Sequence, residues 1–137
     1  MVVCCEAIGC RVVSPAVDGR GELGRRGEEL AAELLRARGY TIVERNFRCR
    51  AGEIDLVALD GPTVVFVEVR SRRGERVGTP LESVDPRKQA RLTLVARHFL
   101  HARRLDESDV RFDVVGVRFD REPPRVEHVC SAFEAVG

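Results

Sequence analysis

The 137-residue sequence has no tryptophan, one tyrosine and a single lysine. Aromatic residues make up 5% of it, too few for a platform on which unpaired bases could stack. No apolar run approaches the roughly 20 residues needed to cross a bilayer, so no membrane association is expected. None of the five cysteines (4, 5, 10, 49 and 130) forms a CxxC pair, and histidines near them are few. Neither a zinc site nor a secreted disulfide framework fits that pattern. The opening "MVVCCEAIGCRVV" lacks a basic n-region and carries Glu6 in its apolar stretch, so it does not read as a signal peptide. A cytoplasmic protein with reduced thiols is the expectation. Repeats, low-complexity tracts and base-reading helix motifs are also missing, which argues against sequence-specific recognition.

What is present is a globular composition, 44% hydrophobic and 33% charged, at a length that suits one domain with a modest core. Net charge is only +1, but the basic residues cluster: Arg45, Arg48 and Arg50; Arg70, Arg72, Arg73 and Arg76; Arg87, Lys88 and Arg91. Each cluster alone reads as a solvated surface. Around a carboxylate-lined site they would suit a phosphate polymer. Of 23 Lys+Arg residues only Lys88 is lysine, a weak pointer that the amine is needed there.

Residues 1–21 show no clear period and read as a poorly ordered extension, or as the product of a mis-chosen start codon; residues 22–137 read as one domain. "GRRGEELAAELLRARG" is the first firm element, a helix with Leu30, Ala31, Leu34 and Leu35 on its apolar side and Gly39 at its C-terminal cap. "YTIVERN" reads as a strand, "FRCRAG" as a connection, "EIDLVAL" as a second strand and "TVVFVEVR" as a third. "SRRGERVGTPLESVD" reads as an exposed loop. Asp85-Pro86 then starts a helix, Asp as N-cap and Pro at N1, which runs to about Arg103. "DVRFDVVGVRF" is a further strand, and "VEHVCSAF" a short last one. The order α-β-β-β-α-β, with that extra strand, predicts a mixed central sheet flanked by helices, an α/β fold on the border of α+β.

Two carboxylates stand out in this arrangement. Strand alternation puts Glu53, Asp55 and Val57 on one face, opposite Ile54, Leu56 and Ala58. It likewise groups Phe66, Glu68 and Arg70. A tight turn at Asp60-Gly61 makes the two strands an antiparallel pair, and ordinary register brings Asp55 beside Glu68. Close carboxylates repel, and a shared proton or a bound cation relieves them. Oxygen donors favour Mg²⁺ or Mn²⁺. The plainer alternative is that Glu68 pairs with an arginine and Asp55 is solvated. Glu28 lies on the shoulder of the first helix's apolar stripe, where it reaches toward the sheet or simply favours the helix dipole.

The stretch "LGRRGEELAAELLRARGYTIVERNFRCRAGEIDLVALDGPTVVFVEVRSR", with "GTPLESVDPRKQARL" and "RFDVVGV", closely resembles the YraN family of bacterial proteins. The likeness covers roughly residues 22–135, and "GEIDLVA…VFVEV" is its most specific signal. That resemblance implies a restriction-endonuclease-like fold related to Holliday-junction resolvases and other PD-(D/E)xK nucleases. It implies catalytic residues Glu28, Asp55 and Glu68, with Arg70 at the last motif position. It implies a metal, Mg²⁺ or Mn²⁺, held by Asp55, Glu68 and the backbone carbonyl of Val69. Glu53 belongs to the family's GEID pattern. Lys88 and Gln89 fall on the helix where similar nucleases carry auxiliary polar groups, and Arg72, Arg73 and Arg76 would grip DNA phosphates beside them. Similar resolvases work as dimers, so a homodimer is an assembly the resemblance allows.

At position 70 the chain departs from the family pattern, which usually has lysine where this sequence has arginine. Lysine can release a proton when desolvated; arginine effectively cannot. Three readings follow. Arg70 acts electrostatically while metal generates hydroxide; or Lys88 supplies the missing amine; or catalysis is lost and nucleic-acid binding remains. The expected function is a metal-dependent endonuclease acting on DNA, with branched substrates included. The alternatives are a non-catalytic nucleic-acid-binding protein and a protein-interaction module that keeps only the fold.

Overall fold

A computed structural model describes residues 11–12, 21–73 and 84–135, with side chains from residue 21 onward. Five long strands form one mixed sheet: β2 (Thr41–Cys49), β3 (Gly52–Asp60), β4 (Thr63–Arg72), β5 (Val110–Arg118) and β6 (Arg125–Phe133). A two-residue strand, β1 (Arg11–Val12), runs along the outer edge of β2. The strands lie side by side in chain order. All neighbours are antiparallel except β4 and β5, which are parallel because the chain crosses over between them through α2 (Pro86–Ala102). The other helix, α1 (Glu22–Ala37), precedes the sheet in sequence. The result is the expected α-β-β-β-α-β-β order, compatible with a restriction-endonuclease-like architecture. The reading of residues 1–21 as an extension falls almost wholly outside the described residues, as do Arg76 and most of the loop after β4.

Each helix covers one face. Ala31, Ala32 and Leu35 of α1 pack on Val65, Val67 and Val69. Leu92, Val95 and Phe99 of α2 pack on Phe47, Ile54 and Phe66. Strand β4 therefore sends alternate side chains into two separate cores, and residues 64–69 are all buried. That burial explains why "VVFVEV" is an almost unbroken apolar run rather than an alternating one. α1 lies close to the sheet at Gly27: a Cβ there would fall 1.8 Å from Ser71 Oγ and 3.1 Å from Ser71 Cβ. Asp85 caps α2 as expected, its carboxylate accepting from the Lys88 N–H at 2.9 Å.

Two details correct the sequence reading. Strand β2 does not stop at Asn46 but continues through Phe47–Cys49. Glu44 bonds to Arg103 just past α2, and Phe47 meets Phe99 edge-on at 5.1 Å. Residues three apart reach one side of the sheet because Asn46 takes a left-handed backbone (φ 53°) and reverses the alternation. Ile54, opposite Phe47 in the register, joins the α2-side core, whereas Leu56 joins the α1-side core. Ile54 and Leu56 thus do not share a packing environment, because β3 leaves regular pairing with β4 between them.

The far side of the sheet is tied by a buried polar network. A register shift between Phe112 and Val114 lets the Asp113 carboxylate accept from the Ser131 N–H at 3.0 Å. Arg111 Nε donates to Asp113 Oδ1 at 3.0 Å and its Nη1 to Asp60 at 2.9 Å. His128 Nε2 lies 2.8 Å from Asp113 Oδ2, and Arg38 Nη1 lies 2.7 Å from His128 Nδ1. A guanidinium only donates, so Nδ1 accepts and Nε2 carries the proton given to Asp113. Burial pushes the Asp113 carboxyl up, and His128, Arg111 and the Ser131 N–H together hold it below the ordinary range. This depressed group stabilises the fold above the usual carboxylate pKa, and the contribution is lost as pH falls through its folded value. Asp113→Ala is expected to cost about 3 kcal/mol in denaturant unfolding, because it leaves Arg111 and His128 without their shared partner.

Candidate functional site

The regular β3–β4 ladder runs from Asp60↔Thr63 to Leu56↔Val67. Continuing it by one step would oppose Asp55 and Glu68. There the carboxylate of Asp55 takes the place of a backbone acceptor: its Oδ2 receives the Val69 N–H at 2.8 Å. Both acids are buried, at 4% and 7% relative exposure, so their mutual repulsion is poorly screened. The expected juxtaposition is therefore present, produced by the register and by the opening of the two strands beyond it.

Asp55 and Glu68 line a cleft of about 600 Å³ beside the start of α2. Three carboxylates (Glu53, Asp55 and Glu68) and four cations (Arg48, Arg70, Lys88 and Arg91) face it. The nearest charge to Glu68 comes from the helix rather than from its own strand. Lys88 Nζ lies 2.6 Å from Glu68 Oε2, whereas Arg70 Nη1 is 3.7 Å away. The chain's single lysine is thus the principal counter-charge of its buried strand glutamate. Burial and then the Asp55 charge push the Glu68 carboxyl up to about 7, while Lys88 and Arg70 pull it down.

The other residues singled out in the sequence divide. Val69 lines the cleft, its N–H committed to Asp55. Glu28 is buried on α1, beside the close approach of Gly27 to Ser71, and is not part of the cleft lining. Gln89 donates from Nε2 to the Val84 carbonyl at 3.0 Å, a contact that braces the start of α2. Arg72, the last residue of β4, is half-buried, and Arg73, just after the strand, is exposed. Arg48 and Arg91 were visible in the sequence only as members of basic clusters. The cleft gives them a place: Arg48 pairs with Glu53 at 3.0 Å, and Arg91 lies over Gly52.

Asp55 and Glu68 present carboxylate oxygens to a cleft that Val69 also lines, and oxygen donors are the kind that hard divalent cations take. The Lys88 ammonium on Glu68 is already a cation at that position. Elsewhere, Asp113, His128 and Cys130 place three ligand atoms within 4.8 Å of one another. Their chemistry points away from a cation. Asp113 is occupied by Arg111, His128 and Ser131, both His128 nitrogens have partners, and the two guanidiniums oppose a cation. Among the described residues no helix is long and apolar enough to cross a membrane.

Raising Glu68 has a consequence for stability. Between its ordinary value of 4.5 and about 7, the folded chain keeps a proton that the unfolded chain has lost. Metal-free stability is expected to fall across that interval and to level off above it. Glu68→Gln removes this component, so the difference between wild-type and variant unfolding free energies, followed over pH, checks it.

The model of a family described as "Uncharacterised protein family UPF0102" matches residues 27–117. A UPF0102 protein of Syntrophus aciditrophicus is 48% identical over 111 residues, covering 81% of this chain and 87% of the relative. One from Pelotomaculum thermopropionicum is 49% identical over 118 residues, covering 85% and 98%. Another, from Acidothermus cellulolyticus, is 50% identical over 125 residues, covering 83% and 95%.

Proposed function

This chain belongs to family UPF0102, the YraN family, and we propose that it is a divalent-metal-dependent endonuclease that hydrolyses DNA phosphodiesters, branched junctions among them. The observation that carries the reading is the buried Asp55–Glu68 pair, opened to a cleft with a basic rim at the point where β3 and β4 part. Lys88, at 2.6 Å from Glu68, is a counter-charge to one acid of the pair. Two acids held together in a solvent-reachable cleft suit a group that brings positive charge with it.

Asp55, Glu68 and the Val69 carbonyl would hold Mg²⁺ or Mn²⁺. When bound, that ion would supply Lewis-acid polarisation of the phosphate and activation of water. The protein's own contribution is electrostatic and positional. The Val69 N–H fixes the Asp55 carboxylate, so one ligand is oriented before any cation arrives. Arg70 faces the cleft as a permanently charged group and stabilises negative charge on the phosphate in the transition state, without acting as a base. Arg48 and Arg91 lie on the same rim, where backbone phosphates would approach, and Arg72 at the end of β4 with Arg73 just after it would add further phosphate contacts. Glu28 is buried on α1 and does not line the cleft, so of the two parts open to it, direct or through water, the second fits.

Purified protein incubated with labelled four-way junctions and Mn²⁺ tests the proposal. Wild type is expected to cut. Asp55→Asn, which keeps an oxygen for the Val69 N–H but removes the charge, is expected to fall to background. Arg70→Ala is expected to lose about 100-fold, the scale of one electrostatic transition-state contact. If wild type and Asp55→Asn give the same product, the nuclease reading is wrong. Salt-sensitive binding with no cleavage under any divalent ion identifies a non-catalytic nucleic-acid-binding protein instead.

A further inference from the structure

Lys88 sits in the first turn of α2, with its backbone N–H fixed by Asp85 and the adjoining Gln89 side chain braced on Val84. Its stem is therefore anchored, while its ammonium reaches across to Glu68 Oε2 at 2.6 Å. The side chain is 27% exposed and faces the cleft, so it has room to turn. Of the chain's 23 Lys+Arg residues, all the others are arginine. A guanidinium at this place would be held by its planar fork, whereas an ammonium is a compact charge on four rotatable carbons and exchanges partners without a geometric penalty.

A divalent cation held by Asp55 and Glu68 would compete with Lys88 for the Glu68 carboxylate. Two cations on one carboxylate repel strongly in a site this poorly screened. The displaced ammonium remains tethered inside the same cleft and needs a new acceptor. The remaining carboxylate of that rim, Glu53, is already paired with Arg48 at 3.0 Å, and Arg70 and Arg91 offer no acceptor because guanidiniums only donate. The acceptor that arrives with the substrate is a phosphate oxygen.

We infer that Lys88 changes partner when the site is loaded: it neutralises Glu68 without a divalent cation, and it binds a nucleic-acid backbone phosphate once the cation has taken Glu68. This rests on the proposed metal site and adds to it a coupling between cation and substrate binding. Lys88 is in this sense a positioning residue that delivers the phosphate next to the metal ligands, with Arg70 as the fixed charge beside it.

The signature is a pair of effects with opposite signs, which a merely structural lysine would not produce. Calorimetric titration with Mn²⁺ alone, at a pH high enough to keep Glu68 ionised in both proteins, should show Lys88→Ala binding the ion roughly threefold more tightly than wild type, the scale of a part-exposed ion pair. Fluorescence anisotropy with a phosphorothioate duplex should show Lys88→Ala binding more weakly than wild type in Mn²⁺, and equally in its absence. Lys88→Met, which keeps the length of the stem, should behave as Lys88→Ala does and stands in if the alanine variant melts early. Mn²⁺ binding by Lys88→Ala that is unchanged or weaker overturns the inference while leaving the metal site intact. So does a duplex defect of equal size with and without Mn²⁺, which marks an ordinary surface contact. If wild type takes up no Mn²⁺, the metal reading falls and the partner exchange falls with it.

Discussion

The geometry of the site depends on one hydrogen bond, from the Val69 N–H to the Asp55 carboxylate. It lies where the β3–β4 ladder ends, and it satisfies a buried backbone donor that regular pairing would otherwise satisfy. Because a side chain does this, the two strands can part without leaving the donor unmet, and the parting makes the cleft. The same bond fixes one acid within reach of the other. Glu68 then carries both a desolvation cost and a repulsion, and its carboxyl rises to about 7 for those two reasons. Lys88 answers part of that cost from α2.

The rest of the fold holds these two strand ends still. β4 is central, covered by α1 on one face and α2 on the other, so Glu68 projects from the most constrained strand of the sheet. α1 is pressed close to the end of β4 by the absence of a side chain at Gly27. α2 is started at a defined residue by Asp85, Pro86 and Gln89, which sets where Lys88 emerges. On the far strands Asp113 gathers Arg111, His128 and the Ser131 N–H into one buried network. That cluster contains an aspartate, a histidine and a cysteine, yet its partners make it a structural tie between β5 and β6. Residue types alone would have suggested a metal there; the hydrogen bonds decide against it.

The charge pattern also takes on meaning from position. Arg48 and Arg91 belong to clusters 43 residues apart in sequence (91 − 48) and meet on one rim. Arg70 stands where the resemblance to PD-(D/E)xK nucleases leads one to expect lysine, yet an amine does stand beside Glu68, carried by the helix after β4. The cleft therefore contains both a permanent guanidinium and an ammonium, and the two are not interchangeable chemically.

The sequence by itself determined the elements, their order and the acids worth watching. Hydrophobic period set α1, β4 and α2 to within a few residues. Asp85-Pro86 marked a helix start, and the Asp60-Gly61 turn set the register that opposes Asp55 and Glu68. These are local signals: each depends on residues a few positions apart. The continuation of β2 through Phe47 was not legible, because it requires the left-handed backbone at Asn46, and the sequence "RNFRCR" looks like a connection. The partner of Glu68 was legible only as one of three alternatives, the one in which Lys88 supplies the missing amine. Strand alternation grouped Glu68 with Arg70, two residues on, but a group on the same strand lies beside a carboxylate rather than in front of it. Lys88 is 20 residues away (88 − 68) and reaches Glu68 only because α2 folds back over the face of the sheet. Which charge meets a buried carboxylate is settled by the crossing of helix and strand, a long-range packing outcome that no local pattern encodes.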